Sequence, residues 1–267
     1  GLARLSTGDA EGAVLDIDVS SRLGISNIET RAARGYAYFN AGYTLEARDN
    51  LDAAFKEGPQ NPWANAYYGE FLASRGELEK GFSHLEIASL LNPHIGVAHL
   101  VRSEILFSLG SEQFGKEALH SSTGLALPTF RHYLDRANIY ASFGEFDLAF
   151  SDIEEAVRIN PDLELPYGTR ARTHAKLNDF NSAVDDFKTA VSLDPTNIEY
   201  RVRLGLAEAQ INADSYDEAI RTSNQSLTIT VKPGNPIETL SLNISTLREL
   251  GLFDQTVQAL KNFIPPD

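Results

Sequence analysis

Cysteine is absent from all 267 residues, which excludes disulfides, thiol nucleophiles and thiolate metal sites. That absence fits the cytosol and the bacterial periplasm equally. No run of about 18 apolar residues occurs, so no segment reads as a membrane-spanning helix. Basic residues are the minority: 23 Lys and Arg stand against 37 Asp and Glu, a net charge of −14. Binding a phosphate backbone needs clustered cations, so nucleic acid is excluded as a partner. Gly at 19 and Pro at 11 are near average usage, which rules out collagen-like and Pro-rich low-complexity chains. The first residues, Gly1-Leu2-Ala3-Arg4, lack the basic-then-apolar order of a signal peptide. With 42% hydrophobic and 22% charged residues, what remains is an acidic chain able to bury a core.

What is present is a repeat. The stretch from Glu164 to Asn197 repeats the stretch from Phe130 to Leu163 at a spacing of 34 residues. In that frame Tyr133 aligns with Tyr167, Ala137 with Ala171, Tyr140 with His174, Ala149 with Ala183, Ala156 with Ala190, and Pro161 with Pro195. The frame extends back through 96–129, 62–95 and 28–61, and forward through 198–233 to a degenerate stretch at 237–267. A partial unit occupies 1–27, with Gly8 at the turn and Ala13 at a small position, so the chain starts inside a repeat. Small residues recur at Gly35, Gly69, Ala137, Ala171 and Gly205, and again at Ala47, Gly81, Gly115, Ala149, Ala183 and Ala219. A further set is Ala54, Ala88, Ser122, Ala156 and Ala190, and the closing prolines are Pro59, Pro93, Pro161 and Pro195.

This pattern resembles the tetratricopeptide repeat, a helix-turn-helix unit. The physics agrees: antiparallel helices approach closely only where side chains are small. Gly or Asn takes the turn, as in Asn40-Ala41-Gly42, Arg75-Gly76-Glu77, Phe143-Gly144-Glu145 and Leu177-Asn178-Asp179. Proline ends each second helix because it cannot donate the next backbone hydrogen bond. The expected fold is all-α, a right-handed solenoid of about fifteen helices in antiparallel hairpins, stacked because one hairpin cannot bury its own apolar face. The whole of 1–267 reads as this single solenoid. Irregularities are expected in the third unit (Ser111-Glu112-Gln113, Ser121-Ser122, Pro128 one place late), at the long turn around Asn212-Ala213-Asp214-Ser215, and over Thr228 to Asn235. At the start, Leu15, Ile17 and Val19 are expected to lie uncovered and to permit self-association through a solenoid end.

No enzyme signature appears. The histidines (His84, His94, His99, His120, His132, His174) have no metal-ligand spacing and read as packing or surface residues. Acidic pairs such as Glu154-Glu155 and Asp185-Asp186 read as solvated convex surface. Asn224-Gln225-Ser226 and Asn243-Ile244-Ser245 match a glycosylation pattern inside expected helices and read as chance. One charge pattern reads as structural: Arg34, Arg102, Arg136 and Arg170 share a repeat position, and Asp49, Glu117, Asp152 and Asp185-Asp186 follow 15 or 16 residues later. These pairs should face each other within their hairpins.

The resemblance implies that ligands, usually peptide segments of partner proteins, lie along the first helices. The inward positions there include Tyr36, Phe39, Trp63, Tyr67, Glu70, Leu100, Glu104 and Phe107, then Arg131, Leu134, Asp135, Asn138, Thr169, Arg172, Lys176 and Arg203. The groove is thus aromatic and acidic early and basic late. Arg172 and Arg203 are the best-placed pair for an anionic group, and aromatic residues and Arg are the types that dominate interface energy. The carboxylate clamp of the chaperone-binding subclass is incomplete: Asn138 matches, but Leu134 replaces its Lys. The asparagine ladder of a glycosyltransferase array is also missing, its places being held by Ala33, Tyr67, Val101, Asp135, Thr169 and Arg203. The expected function is a non-enzymatic protein-interaction scaffold without a cofactor. The alternatives are the periplasmic helical-repeat part of a bacterial envelope export or assembly protein, and the substrate-recognition array of an enzyme.

Overall fold

The computed structural model describes residues 1–24 and 27–211. The turn at Asn212, the stretches 212–233 and 237–267, Ala219 and the two Asn-x-Ser triplets lie outside the described residues. Among the described residues there are thirteen helices and no strand. They run α1 (Leu2–Ser6), α2 (Ala10–Arg22), α3 (Ile28–Asn40), α4 (Thr44–Glu57), α5 (Pro62–Ser74), α6 (Leu78–Leu91), α7 (Gly96–Ser108), α8 (Glu112–Ser121), α9 (Phe130–Ser142), α10 (Phe146–Ile159), α11 (Glu164–Lys176), α12 (Phe180–Leu193) and α13 (Ile198–Ile211). The odd-numbered helices from α3 to α13 begin at a spacing of 34 residues, and each through α11 forms a hairpin with the helix after it. This is an all-α solenoid architecture. Two compact units are formed, Gly1–Asn160 and a second beginning at Pro161.

Local chemistry explains the regularity. At one position per repeat the backbone is left-handed: Gly8, Gly42, Gly76, Gly110 and Gly144, then Asn178, with φ between 60° and 88°. That conformation costs an L side chain energy, and glycine or asparagine supplies it most cheaply. Asn27, Asn61, Thr129 and Asp179 cap helix starts with a side-chain oxygen, and Pro62 fills the first turn of α5. Where α5 crosses α6, a Cβ on Gly81 would lie 2.8 Å from the Gly69 carbonyl oxygen. That crossing admits no side chain. Ala47, Ala54, Ala88, Ala149, Ala156, Ala183 and Ala190 are fully buried at the equivalent contacts.

A second repeated device locks each connection to the helix after it. One position of the first helix bonds to the backbone six residues earlier. Asn65 Nδ2 reaches the Pro59 carbonyl, His99 Nε2 the Pro93 carbonyl, and Tyr167 Oη donates to the Pro161 carbonyl. Tyr133 uses the same place in reverse, accepting from the Leu127 N–H. The residue type varies while the satisfied backbone group recurs, as buried polar groups require.

The repeated arginines divide. Arg136 and Arg170 make bidentate bonds to Asp152 and Asp186, at 2.6–2.7 Å and 2.6–2.8 Å. Arg34 and Arg102 depart from the expected pairing. Arg34 bonds Asp18 of α2 at 2.7 Å, and Arg102 bonds Ser89 of α6 at 3.0 Å while stacking over Phe82. The reason is register: at 16 residues on, the first two pairs have carboxylates, whereas Arg34 meets Asn50 and Arg102 meets Ala118. Asp49 and Glu117 sit one place away, about 100° around the helix. Arg136 also donates to the carbonyls of Ser122 and Leu125. These belong to the irregular connection after α8, which has 10 residues where α6 and α10 have 14. Ile17 is a further correction: it is buried with Leu5, Ala13 and Val14, while Leu15 and Val19 are exposed as expected.

Candidate functional site

One first-helix position, read along the repeats, holds Tyr36, Glu70, Glu104, Asn138 and Arg172. In the first unit these residues turn toward one another. Tyr36 is fully buried and its ring stacks on Tyr67 at 4.0 Å, and Trp63 packs against Tyr67 at 5.4 Å. Phe39 meets Phe71 edge-on at 5.6 Å. Tyr36, Tyr67 and Leu100 are therefore interior residues, a correction to their expected place on an open groove. Phe39, Trp63 and Phe107 are half-buried, and Asn138 is exposed on α9.

The cause of the burial is a polar contact across the concave side of the first unit. Tyr36 Oη donates to Glu70 Oε1 at 3.3 Å and lies 3.3 Å from His132 Nε2. His132 Nε2 is 3.0 Å from the same Glu70 oxygen, and its Nδ1 is 2.7 Å from Thr129 Oγ1. Helices α3, α5 and α9 are thus joined through side chains up to 96 residues apart. Glu104 of α7 and Asp135 of α9 add their charge to the cluster. Loss of solvation first, then the charges of Asp135 and Glu70, push the Glu104 carboxyl up to about 7 against the opposing pull of His132. Burial by itself would lower His132, but the charge and hydrogen bond of Glu70 outweigh it and raise it. The sequence reading treated His132 as an ordinary packing residue. Its signal was positional: the same place holds Thr30, Ala64, Ala98 and Pro166 in other repeats.

In the second unit the same face carries positive charge. Arg203 Nε lies 2.7 Å from Glu199 Oε1, and Arg172 Nη1 lies 3.7 Å from that oxygen. Arg172 also donates to Thr169 Oγ1 at 2.9 Å. Two guanidinium groups on α11 and α13 therefore converge on one carboxylate of the chain itself. Glu199 was missed as part of the site, although its place four residues before Arg203 is a helix-pair spacing visible in sequence. Lys176 is exposed one turn along α11. Among the described residues no group of three His, Asp or Glu could hold a metal ion, and no helix is long and apolar enough to cross a membrane.

Hairpins in phase, with a variable ladder along the first helices, define a helical-repeat array of the class that serves as protein–protein interaction scaffolds. The tetratricopeptide repeat matches residues 131–163 and 166–197. Tetratricopeptide repeat protein 6 of Homo sapiens is 24% identical over 143 residues, 52% of this chain and 27% of that protein. The chain therefore spans well under half of that relative. Among solved structures, the Cut9–Hcn1 hetero-tetramer of the APC/C gives a TM-score of 0.64 at 19% identity, covering 92% of this chain and 48% of that one. PilW, a type IV pilus biogenesis factor, gives 0.61 at 14%, covering 81% and 100%. YrrB, described as having an unusual peptide-binding site, gives 0.53 at 14%, covering 78% and 97%. Such identities show a shared fold. Residues 131–163 and 166–197 are tetratricopeptide repeats, and the described helices share the fold of tetratricopeptide-repeat proteins.

Proposed function

We propose that this chain is a non-enzymatic scaffold that holds a partner's peptide segment along its first helices, anchored at Arg172 and Arg203. The observation that carries the reading is the convergence of these two guanidinium groups on one carboxylate, Glu199, which concentrates cationic donors at one place on a chain of net −14. An acidic side chain or terminal carboxylate of the partner is the complementary group, since Arg binds carboxylates through a planar fork. Within the first unit, Phe39, Trp63 and Asn138 keep some surface, whereas Tyr36 and Tyr67 are buried there. Tetratricopeptide-repeat proteins are in general non-catalytic scaffolds, which supports that reading here. Long-range repulsion from the acidic chain makes the local patch decisive and binding salt-sensitive.

The test is selection of displayed peptides against the immobilised chain, followed by affinity measurement. Selected peptides should be rich in Asp and Glu or require a free C-terminus. Arg172→Ala with Arg203→Ala should weaken them by about 2–4 kcal/mol, an interface hot-spot effect, with helicity unchanged. Peptides that bind the double variant as well as the parent, but are lost with Glu155→Lys on the second-helix face, would refute the proposal.

A further inference from the structure

The polar contact in the first unit has no role in holding hairpins together. Every hairpin there is already closed by buried alanines, glycines and leucines, such as Ala47, Leu51, Gly81 and Leu85. The contact instead joins helices that are not sequence neighbours. Tyr36 belongs to α3, Glu70 to α5 and His132 to α9, and their polar atoms lie within 3.0–3.3 Å of one another. Solenoid curvature follows from the rotation between neighbouring repeats, and contacts between non-neighbours bias it; another in this unit is Asn160 Nδ2 donating to the Thr7 carbonyl at 2.9 Å, beside the approach of Phe130 to Gly8.

The cluster is charge-rich and under-supplied with donors. Glu70 Oε2 is buried without a hydrogen-bond partner. Glu104, half-buried on α7, faces the charges of Glu70 and Asp135, and Asp135 is influenced in turn by His132, Glu70 and Arg131. Glu70 is the carboxylate bonded to His132, while half-buried Glu104 and exposed Asp135 act on it through their charge, with Arg131 also on α9. Such a group holds together only while it carries enough protons.

We propose that the Tyr36–Glu70–His132 contact is a proton-operated clasp, which keeps the concave side of the first unit narrow while His132 and Glu104 are protonated and lets it widen when they are not. The sign follows from the groups. Glu104 is pushed up to about 7 by lost solvation and by Asp135 and Glu70. Its proton leaves near neutrality and adds a third negative charge. His132, held up by Glu70 against its own burial, loses its charge as pH rises through its raised value. Three carboxylates then face one another with no imidazolium between them. Mutual repulsion separates α9 from α3 and α5, uncovering Tyr36 and Tyr67. The clasp would gate the aromatic first-helix surface, and it stands independently of whether Arg172 and Arg203 anchor a partner.

Because the chain has no native cysteine, two introduced thiols can report the width. Lys56 on α4 and Ser151 on α10 are exposed and lie on second helices, away from the cluster. With Lys56→Cys and Ser151→Cys carrying spin labels, the full chain should show a short, narrow separation at about pH 6 and a longer, broader one at about pH 9. His132→Gln should already be long at the lower pH. Glu104→Gln with Asp135→Asn should stay short at the higher one. If His132→Gln loses its helical circular dichroism, the Glu104→Gln/Asp135→Asn chain, which removes charge and no volume, decides the matter. A parent separation that is the same at both pH values, or a widening left unchanged by the carboxylate variant, would overturn the proposal.

Discussion

The two units use the same repeat position in opposite ways. In the first, Tyr36 and Glu70 bond each other and His132, and Glu104 acts on them through its charge. In the second, Arg172 shares the single carboxylate Glu199 with Arg203. The helical frame recurs in both: α5, α9 and α11 have 13 residues each, and α6, α10 and α12 have 14, with α8 the short exception among them at 10. The lesson is that the backbone period and the small-residue contacts fix the hairpins, leaving the first-helix ladder free to carry charge of either sign. In the first unit Tyr36 and Glu70 meet His132; in the second Arg172 and Arg203 meet Glu199.

The sharpest contrast in energy is between the two bidentate pairs. Arg136 is 2% exposed and also bonds two carbonyls after α8, while the Arg170 side chain is 28% exposed. Arg136→Ala strands a buried Asp152, whose carboxyl is already raised by desolvation against the pull of Arg136, and should cost about 3–5 kcal/mol. Arg170→Ala should cost about 1–2 kcal/mol, because Arg170 is itself more exposed and His174 Nε2 stays 3.9 Å from the remaining Asp186. Urea unfolding of both variants measures the difference, and equal losses would break the comparison.

Next in size is the pH dependence of the first unit. Both perturbed groups act in one direction. Glu104 is raised from 4.5 to about 7, so the folded chain binds more protons than the unfolded chain in that window, and stability falls as pH rises through it. His132 is raised above its ordinary value, so its contribution is full below that value and is lost as pH rises through the raised one. Stability should decline by roughly 1–3 kcal/mol between about pH 5 and about pH 8.5, and Glu104→Gln should flatten most of the decline. Unfolding midpoints across this range supply the check; a slope unchanged in Glu104→Gln would remove the carboxyl from the account.

The smallest effects concern the turns. Gly76→Ala places a Cβ at φ +81° and should cost about 1–2 kcal/mol. Asn178→Gly, at φ +60°, should change stability by only a few tenths of a kcal/mol, because both residues tolerate that conformation. Thermal unfolding of the pair tests whether one turn geometry serves both units.

The hairpins were legible in sequence because small residues and turn glycines act locally and recur in phase. Gly8, Gly42, Gly76 and Ala156 could be placed from the period alone. The pairing of Arg136 and Arg170 was legible for the same reason, with a carboxylate at the right register. Arg34 and Arg102 were misassigned because a carboxylate one residue off the register was taken as equivalent, although it points to another side of the helix. Tyr36 and His132 escaped for a different reason: their contact spans 96 residues and depends on how tightly successive hairpins curve, which no single repeat encodes. Arg172 and Arg203 are legible on adjacent first helices, but Glu199, which joins them, was not singled out, although its place four residues before Arg203 is visible in sequence.

The central claim is that partner recognition resides on the basic ladder of α11 and α13, with the acidic ladder of the first unit engaged internally. Amide chemical-shift mapping of the full chain with a selected acidic peptide, at about pH 6.5 where the histidine cluster holds its protons, tests it most directly. The account predicts the largest shifts around Arg172, Glu199 and Arg203, and their loss with Arg172→Ala and Arg203→Ala. Largest shifts around Tyr36, Glu70 and His132, unaffected by that double variant, would contradict it.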